Sequence, residues 1–232
     1  MPNYVTVQMS VIADTLERKN SVMLDILDDT GTFSLTKFID VPEITSKPEP
    51  SRVLQPMEEA MRLIWAVTRW GTLDDIYCFE LDYKFLEVSR WHFSRSKNTP
   101  TDHVPLRCYP HRINKKRFKK SLSVNGVPNR VRFLSSWKPP IKAMKEISKR
   151  FPDVNLMMEF ADKDDLGFNC GTMIFKNGKI IDSDVSPENQ SDSEAVLWRK
   201  YAANLVYMGL SRQEICLNEK WDYPEEEDCE NA

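Results

Sequence analysis

The sequence predicts an α+β protein with a mainly antiparallel sheet, helices packed on one face of that sheet, and a further helix towards the C-terminus. Three features of residues 131–181 predict this class: strand-like alternation, a helical repeat between two alternating stretches, and a hairpin signal near the end. Apolar residues at every second position indicate strands, whereas three- and four-residue steps indicate a helix. Together these features predict a βαββ layer.

The 131–181 segment begins with a strand that alternates through Val131, Phe133 and Ser135. The two prolines of the 137–140 turn have the fixed φ that suits a first helical turn. The predicted helix has one apolar face and ends at Pro152; the face consists of Ile141, Met144, Ile147, Ser148 and Phe151. A strand at 154–160 follows, and Asn177-Gly178 predicts a tight hairpin after the next one.

The first 110 residues are expected to add strands and helices to the same sheet. Residues 4–12 alternate as a strand, and Thr15 can cap a helix whose apolar face includes Leu16, Met23, Ile26 and Leu27. Residues 33–38 favour a short strand. A helix beginning at Pro56 is predicted to bury Met57, Ala60, Met61, Ile64 and Thr68. Residues 76–85 and 87–93 read as two more strands.

The predicted organisation has four parts. Residues 1–110 form an N-terminal α+β part that shares the sheet, and residues 111–189 hold the βαββ layer, with loops at 42–56 and 94–111. Residues 190–223 form a C-terminal helical segment, because Ser191 and Glu194 make a capping box before a helix. The acidic tail at 224–232 is expected to be disordered.

Composition indicates a globular protein of the cytoplasm. No run of about 18 apolar residues and no basic-then-apolar leader is present, so we expect neither a membrane span nor a secretory signal. The chain has 5 cysteines, an odd and widely spaced set that argues against a disulfide framework. A cytoplasmic location is therefore expected.

Charge is unevenly distributed along the chain. Residues 107–150 hold 14 lysines and arginines and one acidic residue, Glu146, whereas the remainder holds 18 basic and 34 acidic residues. Such segregation creates local fields that can steer partners although the net charge is only −3.

Four stretches of the chain carry a family resemblance. They are Met1-Pro2-Asn3, residues 38–42, Trp70-Gly71-Thr72, and residues 133–171 with a Trp-x-Pro-Pro turn and a Phe-Pro helix end. In these stretches the chain resembles the YubB-like ferredoxin-domain family of phage and plasmid proteins. It departs from the family at Leu73 and Asp74, where Lys and then Trp are usual, and at Ser135-Ser136, where Thr-Ala is usual.

The resemblance implies a ferredoxin-like domain at 111–189 and an origin on a mobile genetic element. It implies no established reaction. We therefore take the function from the side chains that the sequence places together.

A basic surface is the best candidate for binding. It comprises Arg112, Lys115, Lys116, Arg117, Lys119, Lys120, Arg130 and Arg132. These cations can neutralise phosphates with release of counterions, and Phe118 or Tyr109 could stack on an unpaired base. The same field would attract an acidic protein, or simply balance the protein's own acidic segments as a solvated strand or loop.

A second candidate is an aromatic pocket formed by Trp70, Gly71, Thr72 and Trp137. Both tryptophans flank predicted strand ends, so they lie close together if the two halves of the chain share a sheet. Indole rings suit a partner side chain or a planar ligand. The alternative is that both rings close the core and Gly71 permits a tight backbone approach.

Metal sites and catalytic residues are not expected. His92, His103, His111 and Cys108 match no zinc-ligand spacing, and the turn with Asp162, Asp164 and Asp165 lacks the glutamate of a calcium loop. Adjacent Asp74 and Asp75 would point to opposite faces of a strand. No phosphate-binding glycine loop or nucleophile elbow is present, so we expect no cofactor.

The leading hypothesis is a non-enzymatic accessory protein that binds a host protein, a defence component among the candidates, and modulates or inhibits it. The runner-up is a nucleic-acid-binding protein that uses residues 112–132. A third hypothesis, an enzyme with a small ligand or a metal near His92, His103 and Cys108, has the least support. Self-association through exposed sheet edges stays open.

Overall fold

The computed structural model describes residues 3–40, 56–73, 75–82, 115–208 and 210–224. In these ranges the strands are β1 (Tyr4–Ile12), β2 (Tyr77–Asp82), β3 (Arg130–Ser136), β4 (Asn155–Asp162), β5 (Gly171–Lys176) and β6 (Lys179–Val185). The helices are α1 (Leu16–Ile26), α2 (Pro56–Arg69), α3 (Lys115–Asn125), α4 (Ile141–Arg150) and α5 (Asp192–Tyr207), with a short 3₁₀ helix at Leu35–Lys37.

Several predictions lie outside these ranges. They concern the loops at 42–55 and 94–111, the strand at 87–93, the helix stop at Gly209, the tail from residue 225, and the residues Asp74, His92, His103, Cys108, Tyr109, His111 and Arg112.

The strands form one sheet in the order β2-β3-β1-β4-β5-β6, and all neighbouring strands are antiparallel. Since β3 and β4 both run antiparallel to β1, they are parallel to each other, and α4 connects them. β1 and β2 both run antiparallel to β3, so they are also parallel to each other, and α1 and α2 lie between them in the chain. Two such split β-α-β units make the ferredoxin-like arrangement, so the predicted α+β class is confirmed. The β5–β6 hairpin extends this sheet beyond β4.

β1 is buried on both faces of the sheet. Val5, Val7 and Met9 are fully buried on the face that carries α1 and α4, where they contact the main core cluster. Thr6 and Gln8 point to the opposite face, and they too are buried. Gln8 Nε2 donates to Glu159 Oε2 at 2.6 Å, which satisfies the buried amide. Both faces of the central strand are therefore covered.

The C-terminal helix α5 covers the second face. Ala202, Ala203 and Leu205 of α5 pack in one cluster with Ala161 of β4 and Cys170 beside β5. Ser191 caps α5, and the reciprocal contact with Glu194 confirms the predicted capping box. The sequence pattern did not assign α5 to a face, and the structure places it opposite α1 and α4.

Arg132 secures the end of α5, and this corrects its assignment to an open basic surface. Its guanidinium Nη2 donates to the carbonyl oxygens of Leu205 at 2.6 Å and Val206 at 2.7 Å. The last carbonyls of a helix lack partners within the helix and carry partial negative charge, so a cation there is stabilising. Arg132 is thus occupied in joining β3 to α5.

The predicted strand at 4–12, helix α4, strand β4 and hairpin at Asn177-Gly178 are confirmed. Asn177 and Gly178 have φ values of 44° and 79°, as a tight hairpin turn requires. Thr15 caps α1, but Leu16 is 64% exposed and does not belong to the buried face. The strand predicted at 33–38 is wrong: those residues bury Phe33, Leu35 and Phe38 around the 3₁₀ turn instead.

Helices α2 and α3 differ most from the predictions. The residues predicted to be buried on α2 are on its exposed side, because the helix contacts the core through Ala66 and Trp70. Residues 115–125 form a helix where a solvated strand or loop was expected, because Phe118 packs into the core beneath Gly31. No helix in the described part of the chain is both long and apolar enough to cross a bilayer.

Replacing Arg132 tests its role at the end of α5. Arg132→Met keeps much of the aliphatic side chain but leaves two carbonyls without their donor, which should lower the free energy of unfolding by about 1–3 kcal/mol. Lys119→Met, on the exposed side of α3, should change it by no more than about 0.5 kcal/mol. Urea denaturation measures both; equal effects would contradict this role.

Candidate binding surface

A cleft of about 370 Å³ lies between the C-terminal end of α2, the exposed side of α4 and the β5–β6 turn. We call it the basic cleft, and it is lined by Phe38, Thr68, Arg69, Lys142, Lys145 and Lys149, together with Ile39, Glu146 and Gly178. Its side chains come from four separate segments of the chain. The sheet and core fix the positions of these segments.

Close backbone contacts hold α2 against α4. The backbone N–H of Ala143 donates to the Trp70 carbonyl at 3.2 Å, immediately after α2 ends. Gly71 has a φ of +84°, a backbone conformation that favours glycine, and a Cβ atom there would be in van der Waals contact with the Lys142 nitrogen at 3.4 Å. Lys142 Nζ also donates to the Val67 carbonyl at 3.2 Å. The backbone around Gly71 therefore lies against the first turn of α4.

The β5–β6 turn forms another side of the basic cleft. Gly178 N–H donates to Ser148 Oγ at 2.8 Å, which ties the hairpin to α4. A Cβ atom on Gly178 would lie 2.7 Å from Lys149 Cε, so the lysine stem passes directly over the glycine. Arg150, the last residue of α4, donates to the Phe38 carbonyl at 2.9 Å and lies 5.2 Å from the Phe38 ring centroid. These contacts hold the base of the cleft in place.

The basic cleft is strongly positive. Arg69, Lys142, Lys145 and Lys149 contribute four cations, and Glu146 contributes one carboxylate, which pairs with Lys149 at 2.6 Å. Among the described residues, no carboxylate lies within ion-pair distance of Arg69, Lys142 or Lys145. Clustered cations at a concave surface raise the local concentration of anions.

An exposed apolar face on α2 leads into this cleft. Met57, Met61 and Ile64 are 73%, 43% and 67% exposed, and Thr68 completes a series at four-, three- and four-residue steps. Residues at these steps lie on one side of a helix. We call this face the α2 stripe. Because Thr68 lines the basic cleft, the stripe and the cleft are continuous.

The predicted basic surface is divided between two sides of the sheet. Lys116, Lys119 and Lys120 are exposed on α3, whereas Lys115 pairs with Asp29 at 2.6 Å. On β3, Arg130 and Arg132 lie on one face of the sheet. The other face carries Val131 and Phe133, which belong to the same core cluster as Phe118 of α3. Phe118 is 5% exposed and cannot stack on a base. Arg117 lies on α3 as well.

The two tryptophan turns meet, as predicted, but their rings point to different environments. Thr72 Oγ1 donates to the Ser136 carbonyl at 2.8 Å, which joins the turns. Trp70 is 5% exposed and packs edge-on against Trp65, with ring centroids 4.9 Å apart. Trp137 is 51% exposed, with a left-handed φ of 67°. Trp70 thus belongs to the core, and the two rings do not line a shared aromatic pocket.

Asp162 is a buried carboxylate with a full set of donors. Its oxygens accept from Asn3 Nδ2 at 2.8 Å, the Asp164 backbone N–H at 3.0 Å and Asn169 Nδ2 at 3.4 Å. Burial raises its pKa above the ordinary value, although these hydrogen bonds oppose the rise. Burial also raises the pKa of the Cys170 thiol to about 11, which keeps it protonated and a poor nucleophile at neutral pH.

No group of three or more potential metal ligands is present within the part of the chain that the structure describes. The predicted Asp162, Asp164 and Asp165 turn is stabilised by its own hydrogen bonds, since Asp162 is already engaged. The histidines and Cys108 lie outside that part.

With the fold established, comparison with known proteins adds one finding. Residues 118–199 match the family described as the ferredoxin-like domain in Api92-like protein. The match begins within α3 and ends within α5, so it supports a ferredoxin-like domain in that segment, less than half of the chain. No curated protein and no solved structure matches the chain significantly. The basic cleft draws Arg69 and Phe38 from outside the matched segment.

The basic cleft was missed by sequence analysis, although its lysines were visible. Lys142, Lys145 and Lys149 lie on the side of α4 that does not carry its apolar residues, and helical periodicity does not show what that side contacts. The placement of Arg69, at the end of α2, beside these lysines in one cleft has no local signal, because the residues are far apart in sequence.

The raised pKa of Asp162 predicts a pH-dependent effect of Asp162→Asn. The folded state holds the Asp162 proton more tightly than the unfolded state, so this stabilising contribution is present below the unfolded pKa and is lost as pH rises through the folded pKa. Asparagine does not titrate here. The variant's free energy of unfolding, relative to wild type, should therefore increase as pH rises above about 4, the ordinary pKa of an aspartate in the unfolded chain.

Urea denaturation at a series of pH values measures this difference. Asp165→Asn, in the exposed part of the same turn, is the matched control. A constant or declining difference for Asp162→Asn would show that burial does not govern this carboxylate.

Proposed function

We propose that this chain is a non-enzymatic accessory protein of a phage or plasmid that binds a host protein and modulates or inhibits it. A component of host defence is one candidate for that protein. The observation that carries the proposal is the α2 stripe, an exposed apolar helix face that continues into the basic cleft. The stripe concentrates apolar contact area on the surface, and contiguous apolar patches with a polar surround are typical of protein–protein contacts.

The chemistry of the stripe supports a protein partner. Met57 and Met61 have flexible side chains that adapt to different surfaces, and Ile64 presents a branched apolar side chain one turn beyond Met61. Scattered exposed apolar residues are ordinary, but these recur on one side of one helix. An amphipathic helix usually buries such a face. Because folding leaves this apolar surface in water, a partner that covers it gains the hydrophobic free energy of its burial.

The origin on a phage or plasmid, and action inside the host cytoplasm, rest on the resemblance to the YubB-like family. The ferredoxin-like match at 118–199 supports the fold on which this resemblance depends. A mobile element benefits from small proteins that bind host machinery, and this one would act by occupying a host surface.

Nucleic-acid binding through α3 is the second candidate function. Lys116, Lys119 and Lys120 are exposed within two turns of one helix, so they could contact successive phosphates. Such binding would weaken steeply with added salt. The α2 stripe has no role in that mode, so the two functions use separate helices and can be tested separately.

Site-specific crosslinking tests the leading proposal. Ile64 and Leu197 are each 67% exposed on a helix, but only Ile64 belongs to the α2 stripe. A photo-crosslinking amino acid at position 64 should yield one dominant adduct in host lysate, and the same group at position 197 should not. Mass spectrometry identifies the adduct.

The matched charge variants complete the test. Ile64→Glu should reduce capture of the crosslinked host protein by about tenfold or more, because it places a charge in an apolar contact. Leu197→Glu should leave capture unchanged. Equal capture by both variants, with folding verified by circular dichroism, would refute binding through α2.

A further inference from the structure

We infer that the α2 stripe and the basic cleft form one site for an acidic amphipathic segment of a protein partner. Carboxylates of the segment would enter the basic cleft while its apolar side chains cover the stripe. This inference rests on the proposed function and gives the chemistry of the partner.

The α2 stripe has the length of a short partner helix. Met57 and Thr68 mark the ends of the α2 stripe, which at 1.5 Å per residue is about 16 Å long. A partner helix of about three turns presents an apolar face of the same length. Because Thr68 also lines the cleft, a segment lying along the stripe is led directly to the cations.

Charge complementarity selects an acidic segment. The cleft has four cations against one carboxylate, so another cationic segment would be repelled and an apolar one would leave the cations without counter-charges. Arg69 can bind a carboxylate with two parallel hydrogen bonds, and Lys145 adds a second cation with no ion-pair partner among the described residues. The cleft therefore has a net charge of +3, which three acidic side chains would balance.

Part of the basic cleft is organised before binding. Lys142 is held by the Val67 carbonyl, and the stem of Lys149 rests on Gly178. The base of the cleft is Phe38, which Arg150 fixes by a hydrogen bond and by its position over the ring. Side chains held in this way lose less conformational freedom when a ligand binds.

The apolar half of the site favours protein over nucleic acid. Interfaces with nucleic acids are polar and strongly cationic, and they gain little from methionine and isoleucine on a helix face. Met61 and Ile64 would instead meet aliphatic side chains, as in a helix that packs in a groove. A nucleic acid would use the cations of the cleft and leave Ile64 without effect.

Binding of designed peptides tests this inference directly. The probe is a fluorescein-labelled 20-residue helical peptide with leucine along one face and glutamate elsewhere. One control peptide has the same composition with the leucines dispersed, and another has lysine in place of glutamate. Fluorescence anisotropy with the full-length protein should show saturable binding of the first peptide and markedly weaker binding of both controls.

Two variants, each with a matched control, locate the binding. Lys142→Glu/Lys145→Glu should raise the peptide's dissociation constant by about tenfold or more, and so should Ile64→Glu. Lys116→Glu/Lys119→Glu on α3 and Leu197→Glu should leave it within about twofold. Circular dichroism and thermal melts verify that every variant is folded.

The remaining outcomes overturn the inference. If the peptide with dispersed leucines binds equally well, the site recognises charge alone. If single-stranded DNA binds and its affinity depends on Lys142 and Lys145 but not on Ile64, the cleft binds nucleic acid. Concentration-dependent dimerisation abolished by Ile64→Glu would make a second copy the occupant. If the host protein is captured through Ile64 independently of Lys142 and Lys145, the inference fails and the proposed function stands.

Discussion

The structure depends on a central strand that is buried from both sides. β1 lies between β3 and β4, with Val7 and Met9 in the main core and Thr6 and Gln8 beneath α5. Hydrogen bonds to two neighbours and cover on two faces leave this strand no solvated side. Because a one-residue shift would exchange its apolar and polar faces, the register of β1 sets that of the whole sheet.

This constraint extends to the candidate site through two short connections. β3 leads directly into the 137–140 turn and α4, while Thr72, just after α2, bonds to the last residue of β3. The end of α2 is thereby held against the first turn of α4, so that Arg69 lines the basic cleft together with Lys142 and Lys145. The apolar side of α2 that points outwards is a consequence of this anchoring, since Ala66 and Trp70 are its buried contacts.

Sequence alone predicted the elements whose signals are local. The alternation of β1, the Pro-bounded helix α4, the Asn177-Gly178 hairpin and the capping box at Ser191 each lie within a few residues, and each is present. The stripe on α2 was visible too, but periodicity shows that a helix has an apolar side without showing what that side contacts. The basic run at 115–120 concealed a helix because Phe118 is the one apolar residue within it. Arg132 could not be separated from the surface cations, since its partners are carbonyls of α5, more than 70 residues away.

Hydrogen exchange on the protein with and without its captured host partner tests the central claim most directly. If α2 and α4 form one binding site on a rigid sheet, protection on binding should appear in residues 56–69 and 141–150 and be absent from α3. Amides of β1 should exchange slowest in both states. Protection confined to 115–125, with α2 and α4 unchanged, would contradict the account.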